Sequence, residues 1–526
     1  MHIVSDLYIR AMNKNLLSVT ALLCALAVAS AQENAKTDPT LQGTTAAAST
    51  ENIRVLSLTD CVQIGLEHNL DIKINRFQPM LSKYDYSMAY GAYDPTLTVG
   101  YTHSDSKNPS STETGTTYVT TNSEIYGDNA NAGLNFLTPL GSTVGFQGSY
   151  SRSGYSSGVY NRDNSQFNGS GRISITQPLL KNMWIDSTRM NIKVARNTMH
   201  SSELTYQYNL MTTINQIEIA YYNLIGARED IIAGEQNLNQ SQEFLKETLK
   251  KVELGSLIEL DSKDAESQVA SSKSSLIALK QAYKTAANNL RKVLSDDFSQ
   301  WQDTDFDLTD ELTTIATLPN RADSWYKGLT LRPDLLQMKV DVESKDINIK
   351  YSFNQLFPQL DVIGSYGHSG AGWADGESPL TQVAQGTYPN YSIGGQLSVP
   401  IGTITARNTY KRRKAEREQS ILRLKQKEQN VMVEIDNAIN SVNSSLEAIT
   451  STREARQYAE QAYEAGKTRL EHGKATSFEV LQLQTTLFQN RLAEIKALVN
   501  YNINLANLRY AEGATLENYN IEVIYE

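Results

Sequence analysis

Apolar residues recur every seven positions from residue 210 to residue 252, which is typical of a long coiled-coil helix. The series is Leu210, Ile217, Leu224, Ile231, Leu238, Leu245 and Val252. A sustained seven-residue repeat keeps one apolar seam against a partner helix. Gly255 interrupts the series, and a second periodic run follows between residues 269 and 293. The pattern therefore predicts a long antiparallel helical hairpin over residues 187–294.

The period changes to two in the stretch before this hairpin, over residues 94–177. Leu97, Val99 and Tyr101 alternate with small polar residues, and three further runs alternate in the same way. Alternation places successive side chains on opposite faces of a strand. The polar face consists of Gly, Ser, Thr, Asn and Gln, with Tyr at the strand ends, as in membrane strands around a wet lumen. The strands of a soluble sheet would show the same alternation. The interpretation as membrane strands therefore rests on the composition of the polar face.

The order of helix, strands and hairpin occurs twice along the chain. Arg189 and Arg407 lie 218 positions apart, and so do Gly255 and Gly473. This single offset aligns the first hairpin with a second one at residues 405–511, and shorter strands at 358–400 precede it. The first half carries two additional strands. We therefore expect an internally duplicated chain rather than several unrelated domains, although 526 residues would allow them.

The beginning of the chain has the features of an export signal. Lys14 precedes an apolar run at residues 16–28, and Ala29-Ser30-Ala31 is a small-residue cleavage site. Residues 1–11 lack signal character, so both Met1 and Met12 are candidate starts. The expected organisation follows from these patterns: signal peptide 1–31, flexible linker 32–54, first repeat 55–296, acidic connector 297–319, second repeat 320–513 and C-terminal tail 514–526.

Charge and cysteine usage narrow the class of protein. The formal net charge of −10 disfavours nucleic-acid binding, which needs a basic surface. Cys24 lies in the apolar run of the signal without the small residue that lipidation requires. Removal of the signal leaves Cys61 alone, so no internal disulfide is expected.

The strands, rather than a helix, are the candidate membrane segments. No stretch outside the signal has the length of apolar sequence that a membrane helix needs. Strands in lipid must form a closed sheet, because hydrocarbon cannot satisfy free edge groups. Four to six strands are fewer than the about 8 of the smallest membrane barrels. The barrel is therefore expected to close only as an oligomer.

Motifs for catalysis or metal binding are weak. Asp303, Asp305 and Asp307 imitate the start of a calcium loop, but Leu308 and Thr314 replace its glycine and its bidentate glutamate. The histidines are scattered, and no catalytic triad or phosphate loop is present. We predict no metal site, no cofactor and no enzymatic activity.

A basic cluster follows the last strand at residues 411–414, where it could face lipid phosphates. Glu416 and Glu418 lie close by, which favours an ordinary solvated helix face.

This succession of signal, helix, strand pair and helical hairpin, repeated over about residues 56–513, resembles the outer membrane efflux protein family, the TolC-like outer membrane factors. The resemblance implies a homotrimer in which a β-barrel in the outer membrane continues as an α-helical coiled-coil barrel through the periplasm. It implies a passive exit duct of a tripartite efflux pump or type I secretion system. The implied partners are outer membrane lipid, a periplasmic adaptor (membrane fusion) protein and an inner-membrane efflux or ABC transporter. Four strands per chain would give a trimer twelve strands, and six would give it eighteen.

The hairpin turns carry the most specific part of the resemblance. Turns of this family have a glycine followed six residues later by an acid, which Gly255 with Asp261 and Gly473 with Glu479 match. The resemblance implies that these turns form the periplasmic gate and the adaptor-docking surface. Gln482 stands where the family has a second acid. Acids at the start of a helix are also favoured by the helix dipole alone, without any role in gating.

The gate lock of the family does not carry over. Leu470 and Ala475 occupy the positions of its tyrosine and arginine. Arg469 or Lys474 would be alternative partners for Asp261.

Two other classes of protein share parts of the pattern. A trimeric coiled-coil structural protein or adhesin would combine heptads with a barrel anchor, but it would keep its strands at one end of the chain. Here strands interrupt the helices twice. A diffusion porin would not account for the long helices.

Overall fold

The computed structural model describes residues 52–114, 117–157, 165–255, 257–301, 304–312, 314, 319–373 and 378–523. The predicted signal peptide at residues 1–31 and most of the predicted linker at 32–54 lie outside this part of the chain.

The described chain alternates groups of helices with groups of strands. The helices are α1 (Leu58–His68), α2 (Leu70–Met88), α3 (Ser187–Glu253), α4 (Glu259–Leu294), α5 (Arg321–Leu331), α6 (Pro333–Asn354), α7 (Pro379–Gln385), α8 (Ile404–Glu471), α9 (Ser477–Glu512) and α10 (Thr515–Asn518). The strands are β1 (Asn52–Leu56), β2 (Thr96–Thr114), β3 (Thr117–Leu137), β4 (Thr143–Ser157), β5 (Gln166–Pro178), β6 (Thr304–Leu308), β7 (Gln359–Trp373) and β8 (Tyr388–Ser398).

Two long helical hairpins dominate the molecule, at the positions that the heptads indicate. Helices α3 and α8 contain 67 and 68 residues, which is about 100 Å at about 1.5 Å per residue. Helices α4 and α9 return along them with 36 residues each. The backbone N–H of Arg189 donates to Asp186 Oδ1 at 2.7 Å, which caps the start of α3. Within the described residues, no helix is both long and apolar enough to cross a membrane.

The apolar seam of α3 is buried only over its first half. Leu210, Ile217 and Leu224 are at most 4% exposed, whereas Ile231 and Leu238 are only partly buried. Further along, the most buried positions are Asn237, Ser241, Phe244 and Thr248. These positions lie on the side of α3 away from Ile217 and contact α4 and α9 instead. The buried stripe therefore moves onto mostly polar residues that a hydrophobic pattern does not reveal.

Six strands form one antiparallel sheet in the order β2-β3-β4-β5-β7-β8. One face of the sheet carries an apolar row that crosses all six strands in register: Leu97, Leu134, Phe146, Ile173, Tyr366 and Tyr391. The alternate positions on these strands, such as Thr98, Asn135 and Ser392, point to the other face. The sheet therefore has one apolar and one polar face, as the alternation predicts.

The strands are longer than their apolar segments. The stretch from Ser104 to Asn129 has the composition of a polar loop, but most of it continues β2 and β3, which pair as far as Thr114 and Thr117. Most residues in this stretch are polar, so hydrophobicity gives no signal for it. The short helix α7, with Gly386 as its C-cap, lies between β7 and β8.

The predicted linker and acidic connector contain a small two-stranded sheet. Strand β1 pairs in parallel with β6, so the linker ends before Asn52 and the connector at 297–319 is partly regular. Phe306 and Leu308 pack with Leu56 in the core that includes α3. Asp305 and Asp307 alternate with these apolar residues on the exposed side. The acidic composition therefore concealed a short strand.

The predicted tail at residues 514–526 is anchored where it is described. The Tyr519 hydroxyl donates to Glu218 Oε1 at 2.6 Å, and Arg509 Nη1 lies 3.2 Å from the same oxygen. Burial raises the pKa of the Glu218 carboxyl, against the opposite effect of these two partners. The tail thus closes over α3 beside α9.

Candidate gate and docking surface at the hairpin tips

Both hairpins turn at a glycine in the left-handed region. Gly255 has φ +71° and Gly473 has φ +67°. The N–H of Gly255 donates to Val252 O at 2.9 Å, and the N–H of Gly473 donates to Leu470 O at 3.1 Å. A residue with a Cβ would be strained at this φ. The two glycines therefore fix where each hairpin ends.

The Asp261 carboxylate is hydrogen-bonded to the start of its own helix, α4. Its Oδ2 accepts a hydrogen bond from the N–H of Ile258, the N-cap residue of α4, at 3.2 Å. This geometry agrees with the structural alternative for Asp261, namely an acid that stabilises a helix N-terminus.

Glu479 is placed differently, although it also lies in the first turn of its helix. Thr476 provides the cap of α9, since its Oγ1 accepts from the N–H of Glu479 at 3.2 Å. The Glu479 carboxylate lies 3.5 Å from Arg469 Nη2 at the end of α8. Arg469 is thus paired with Glu479 across the second tip. Gln482 is exposed about one turn further along α9.

Exposed apolar side chains surround the first turn and continue on the second. Leu254, Ile258 and Leu260 are 79%, 64% and 64% exposed, and Phe478 is 66% exposed. These four residues define the tip patch, which the sequence pattern does not predict because none of them belongs to a periodic series. The sequence feature that identifies them is an apolar residue beside the glycine turn, at an exposed position where a polar residue is the usual choice.

A buried polar cluster joins the two hairpins above the tips. Gln484 Nε2 of α9 donates to Ser241 Oγ at 2.7 Å and to Asn237 Oδ1 at 3.1 Å on α3. Asn237 Nδ2 donates to Ser272 Oγ of α4 at 3.1 Å. All four side chains are at most 5% exposed. Such hydrogen bonds fix the register of neighbouring helices more strictly than apolar contacts do.

An apolar cluster lies next to these polar side chains and contains residues of all four long helices. Its buried members are Phe244, Ala265, Ala459, Tyr463, Val480, Leu481 and Leu487. Leu470, which replaces the tyrosine of the expected gate lock, packs against this cluster. Its role here is therefore packing between the hairpins.

Asp230 is a half-buried acid higher on α3, in a recess between α3, α4 and α9. Burial raises the pKa of Asp230 to about 6, and the charge of adjacent Glu229 acts in the same direction. Lys496 of α9 lines the same recess.

Within the part of the chain that the structure describes, no group of three or more His, Cys, Asp or Glu side chains is arranged to hold a metal ion.

Comparisons with known proteins agree with this architecture. The sequence profile of a family described as outer membrane efflux protein matches residues 138–295 and 326–514. The chain is 22% identical over 321 residues to the pyoverdine export outer membrane protein OpmQ of Pseudomonas aeruginosa, covering 58% of this chain and 63% of that protein. It is 20% identical over 385 residues to the outer membrane protein TolC of Salmonella enteritidis, covering 72% and 76%.

Solved outer-membrane channels share the fold. The structure of OprN matches with a TM-score of 0.63 at 15% identity, over 87% of this chain and 90% of that one. The open-state MtrE channel of Neisseria gonorrhoeae matches with a TM-score of 0.61 at 16% identity, over 94% and 99%.

Proposed function

This chain belongs to the outer membrane efflux protein family, and from that premise we propose that three copies form the exit duct of a tripartite efflux pump or a type I secretion system. Such a protein lies in the outer membrane and extends into the periplasm. The duct is passive: it supplies a continuous path, and the energy comes from an inner-membrane transporter.

The observation that carries the proposal is the junction of a two-faced sheet with helices of about 100 Å in one chain. The apolar row across the sheet suits contact with lipid, and the polar face suits a water-filled lumen. The helices have the length needed to cross a cell compartment. A porin needs only the sheet, and a spacer needs only the helices.

The tip patch supports docking of a periplasmic adaptor. Its apolar side chains lie at the end of the hairpins opposite the sheet, where an inner-membrane complex would be met. Exposed apolar groups of this kind commonly mark protein interfaces. The name of the Pseudomonas relative, an export protein, supports outward transport.

Conductance tests the channel part of the proposal. Purified protein in planar lipid bilayers is expected to produce stepwise ion currents, because the oligomer encloses a polar path. A structural spacer or adhesin, the alternative function, would leave the bilayer at its baseline conductance.

Crosslinking in cells tests the docking part. A photoreactive amino acid at Leu260 or Phe478 is expected to capture a periplasmic adaptor. The matched control is Tyr326, which is 71% exposed but lies on α5, far from the tips. Equal capture from all three positions would contradict docking at the tips.

A further inference from the structure

The polar face of the six-stranded sheet carries very little charge. Its described side chains are mainly Gly, Ser, Thr, Asn and Gln, and two of them are charged, Arg172 on β5 and Asp361 on β7. Asp361 lies at the base of the sheet beside Pro178 and is 8% exposed. Its Oδ2 accepts a hydrogen bond from Gln359 Nε2 at 2.7 Å. Among the described side chains, Arg172 is therefore the charge that this face presents to a lumen.

Arg172 is exposed and stands among uncharged neighbours. Gln147 of β4 and Gly367 of β7 lie beside it in register. Asp361 pairs with Pro178, six residues from Arg172, so the two charges are about 20 Å apart along the strands. A guanidinium stays charged at any relevant pH. The charge of Arg172 is thus not balanced by a carboxylate of the described polar face.

Gly367 keeps one side of Arg172 open. A Cβ at Gly367 would lie only 3.0 Å from Arg172 Cα and 3.2 Å from Arg172 Cβ. A larger residue would therefore clash with the base of the arginine side chain. Glycine at this position lets β7 run directly beside Arg172 without covering it.

A shallow recess of about 590 Å³ opens on the same face next to Arg172. Its polar lining comes from four neighbouring strands and defines what we call the serine recess: Ser149, Asn168, Ser170, Ser369 and Tyr388. Ser149 Oγ and Ser170 Oγ lie 2.7 Å apart, and Asn390 Nδ2 donates to Ser369 Oγ at 3.1 Å. Each hydroxyl still has a lone pair that can accept a hydrogen bond from a solute.

Arg172 and Tyr388 mark the two ends of this polar surface. Ser170 is two residues from Arg172 on the same face, about 7 Å away. Tyr388 pairs with Ser369, which pairs with Ser170, so the Cα atoms of Tyr388 and Arg172 are about 12 Å apart. The Tyr388 ring is 57% exposed. One organic solute can therefore contact the ring while its anionic group meets the guanidinium.

We infer that Arg172 and the serine recess form a solute site in the lumen that favours organic anions with aromatic, hydroxyl or carbonyl groups. Every copy contributes one such site at the same height of the barrel. The inference rests on the proposed duct and names a class of solute that it favours. Screening at about 0.1 M salt limits a charge to about 10 Å, which reaches well into the lumen from an arginine on its wall.

Reversal potentials across a KCl gradient test the charge of Arg172. Arg172→Gln is expected to raise the ratio of potassium to chloride permeability about threefold at about 0.1 M salt. Arg172→Lys keeps the charge and should keep the wild-type ratio. The difference should vanish at about 1 M salt, where the reach of a charge falls to about 3 Å. A purely structural role for Arg172 would not produce this salt dependence.

Arg152 on β4 provides the matched control. It is five residues from Gln147 and therefore points to the other face of the sheet, beside Asp128 and Phe167 in register. Arg152→Gln removes the same charge outside the lumen and should leave the permeability ratio unchanged. A wild-type ratio in Arg172→Gln, or an equal shift in both variants, overturns the inference.

Block by an organic anion tests the recess. Naphthalenetrisulfonate, added on the side of the sheet, is expected to reduce the conductance of the wild type. Arg172→Gln and Tyr388→Ala should each raise the half-blocking concentration about fivefold, which corresponds to about 1 kcal/mol for one exposed contact. Tyr391→Ala is the control, because Tyr391 is 80% exposed on the same strand but belongs to the apolar row.

The outcomes separate the site from the duct. Block that neither Arg172→Gln nor Tyr388→Ala weakens would overturn the solute site, and so would an equal loss of block in Tyr391→Ala. Currents with unaltered selectivity and block in these variants would reject only the site. A wild-type protein that produces no currents would reject the duct itself.

Discussion

Asp261 and Glu479 occupy equivalent positions in the first turns of α4 and α9, but their carboxylates have different partners. Asp261 caps its own helix. The contact of Glu479 with Arg469 is solvent-exposed, and exposed pairs of this kind contribute at most about 1 kcal/mol. In a ring of copies, Glu479 would bring several such carboxylates near one axis.

Polyvalent cations are therefore expected to block the channel through Glu479. Glu479→Gln should weaken the block by about tenfold, which corresponds to about 1.4 kcal/mol. The measurement is the cation concentration that halves the bilayer conductance. Asp261→Asn is the matched control and should change it little. Equal block of the Glu479 variant and the wild type would exclude a carboxylate ring at this residue.

Asp230 is expected to make stability depend on pH. Its pKa of about 6 in the folded protein exceeds the ordinary value of 3.8, so the folded state binds this proton more tightly than the unfolded state does. Stability should therefore fall as pH rises from about 4 to about 6. Asp230→Asn should remove this component and raise the thermal midpoint at pH 7.

The control for Asp230→Asn is the substitution of an exposed carboxylate. Glu343→Gln, at an exposed position of α6, should leave the pH profile of the thermal midpoint unchanged. If Asp230→Asn leaves the difference between pH 4 and pH 7 intact, Asp230 is not the group responsible.

Local sequence identified some of the tip residues and missed others. Gly255 and Gly473 were predictable because a positive φ strongly favours glycine. Leu254 and Phe478 were not, since a single apolar residue in a turn has no period. The distinction between Asp261 and Glu479 depends on Arg469, which comes near only after the hairpin has folded.

Helices α3 and α9 are joined near the tips by buried hydrogen bonds that lie beside an apolar cluster containing Phe244, Val480 and Leu487. Gln484 is the centre of that contact, because it binds both Asn237 and Ser241. A buried polar contact tolerates little sliding, since each displaced group loses a partner that water cannot replace.

Gln484→Ala should therefore destabilise the lower hairpins. Asn237 and Ser241 would lose a buried partner, at a cost of about 1–3 kcal/mol. The expected result is a lower thermal midpoint and faster proteolysis near the tips. Gln482→Ala, two residues away and exposed, is the matched control. An unchanged midpoint for Gln484→Ala would mean that the cluster contributes no net stability.

The helices and strands could be predicted from the sequence where their buried residues are apolar. The heptads placed both hairpins within a few residues, and alternation found the lower half of each strand. The upper halves of β2 and β3 were missed because most of their residues are polar. Strands β1 and β6 were missed because β6 has only five residues, and Asp305 and Asp307 give it the composition of an acidic loop. Its alternation has a structural meaning only once Phe306 and Leu308 pack in the core that includes α3.

The sheet and the helices of one copy have similar widths. Six strands at about 4.8 Å spacing and about 40° tilt span about 38 Å of wall. The four helices α2, α3, α6 and α8, at about 9–10 Å each, also span about 38 Å. One ring of copies can therefore close both layers at the same circumference, with β8 of one copy beside β2 of the next.

We therefore expect eighteen strands in the trimer, the wider of the two barrels that the sequence allows. Strand counting in an electron cryomicroscopy map of the reconstituted protein measures this directly. A twelve-stranded barrel, with two strands of each copy excluded from the wall, would contradict both the strand order and the matching widths.

Hairpin β2–β3 is taller than any membrane requires. Strand β2 has 19 residues, which at about 3.4 Å per residue and about 40° tilt gives a height of about 50 Å. The apolar band of a membrane barrel takes up about 25 Å of it. In the proposed duct, we expect the remainder to project from the outer membrane on the side away from the helices, as one ridge per copy. We expect antibodies and bacteriophages to meet this ridge before any other part of the protein, so variation between strains should concentrate there.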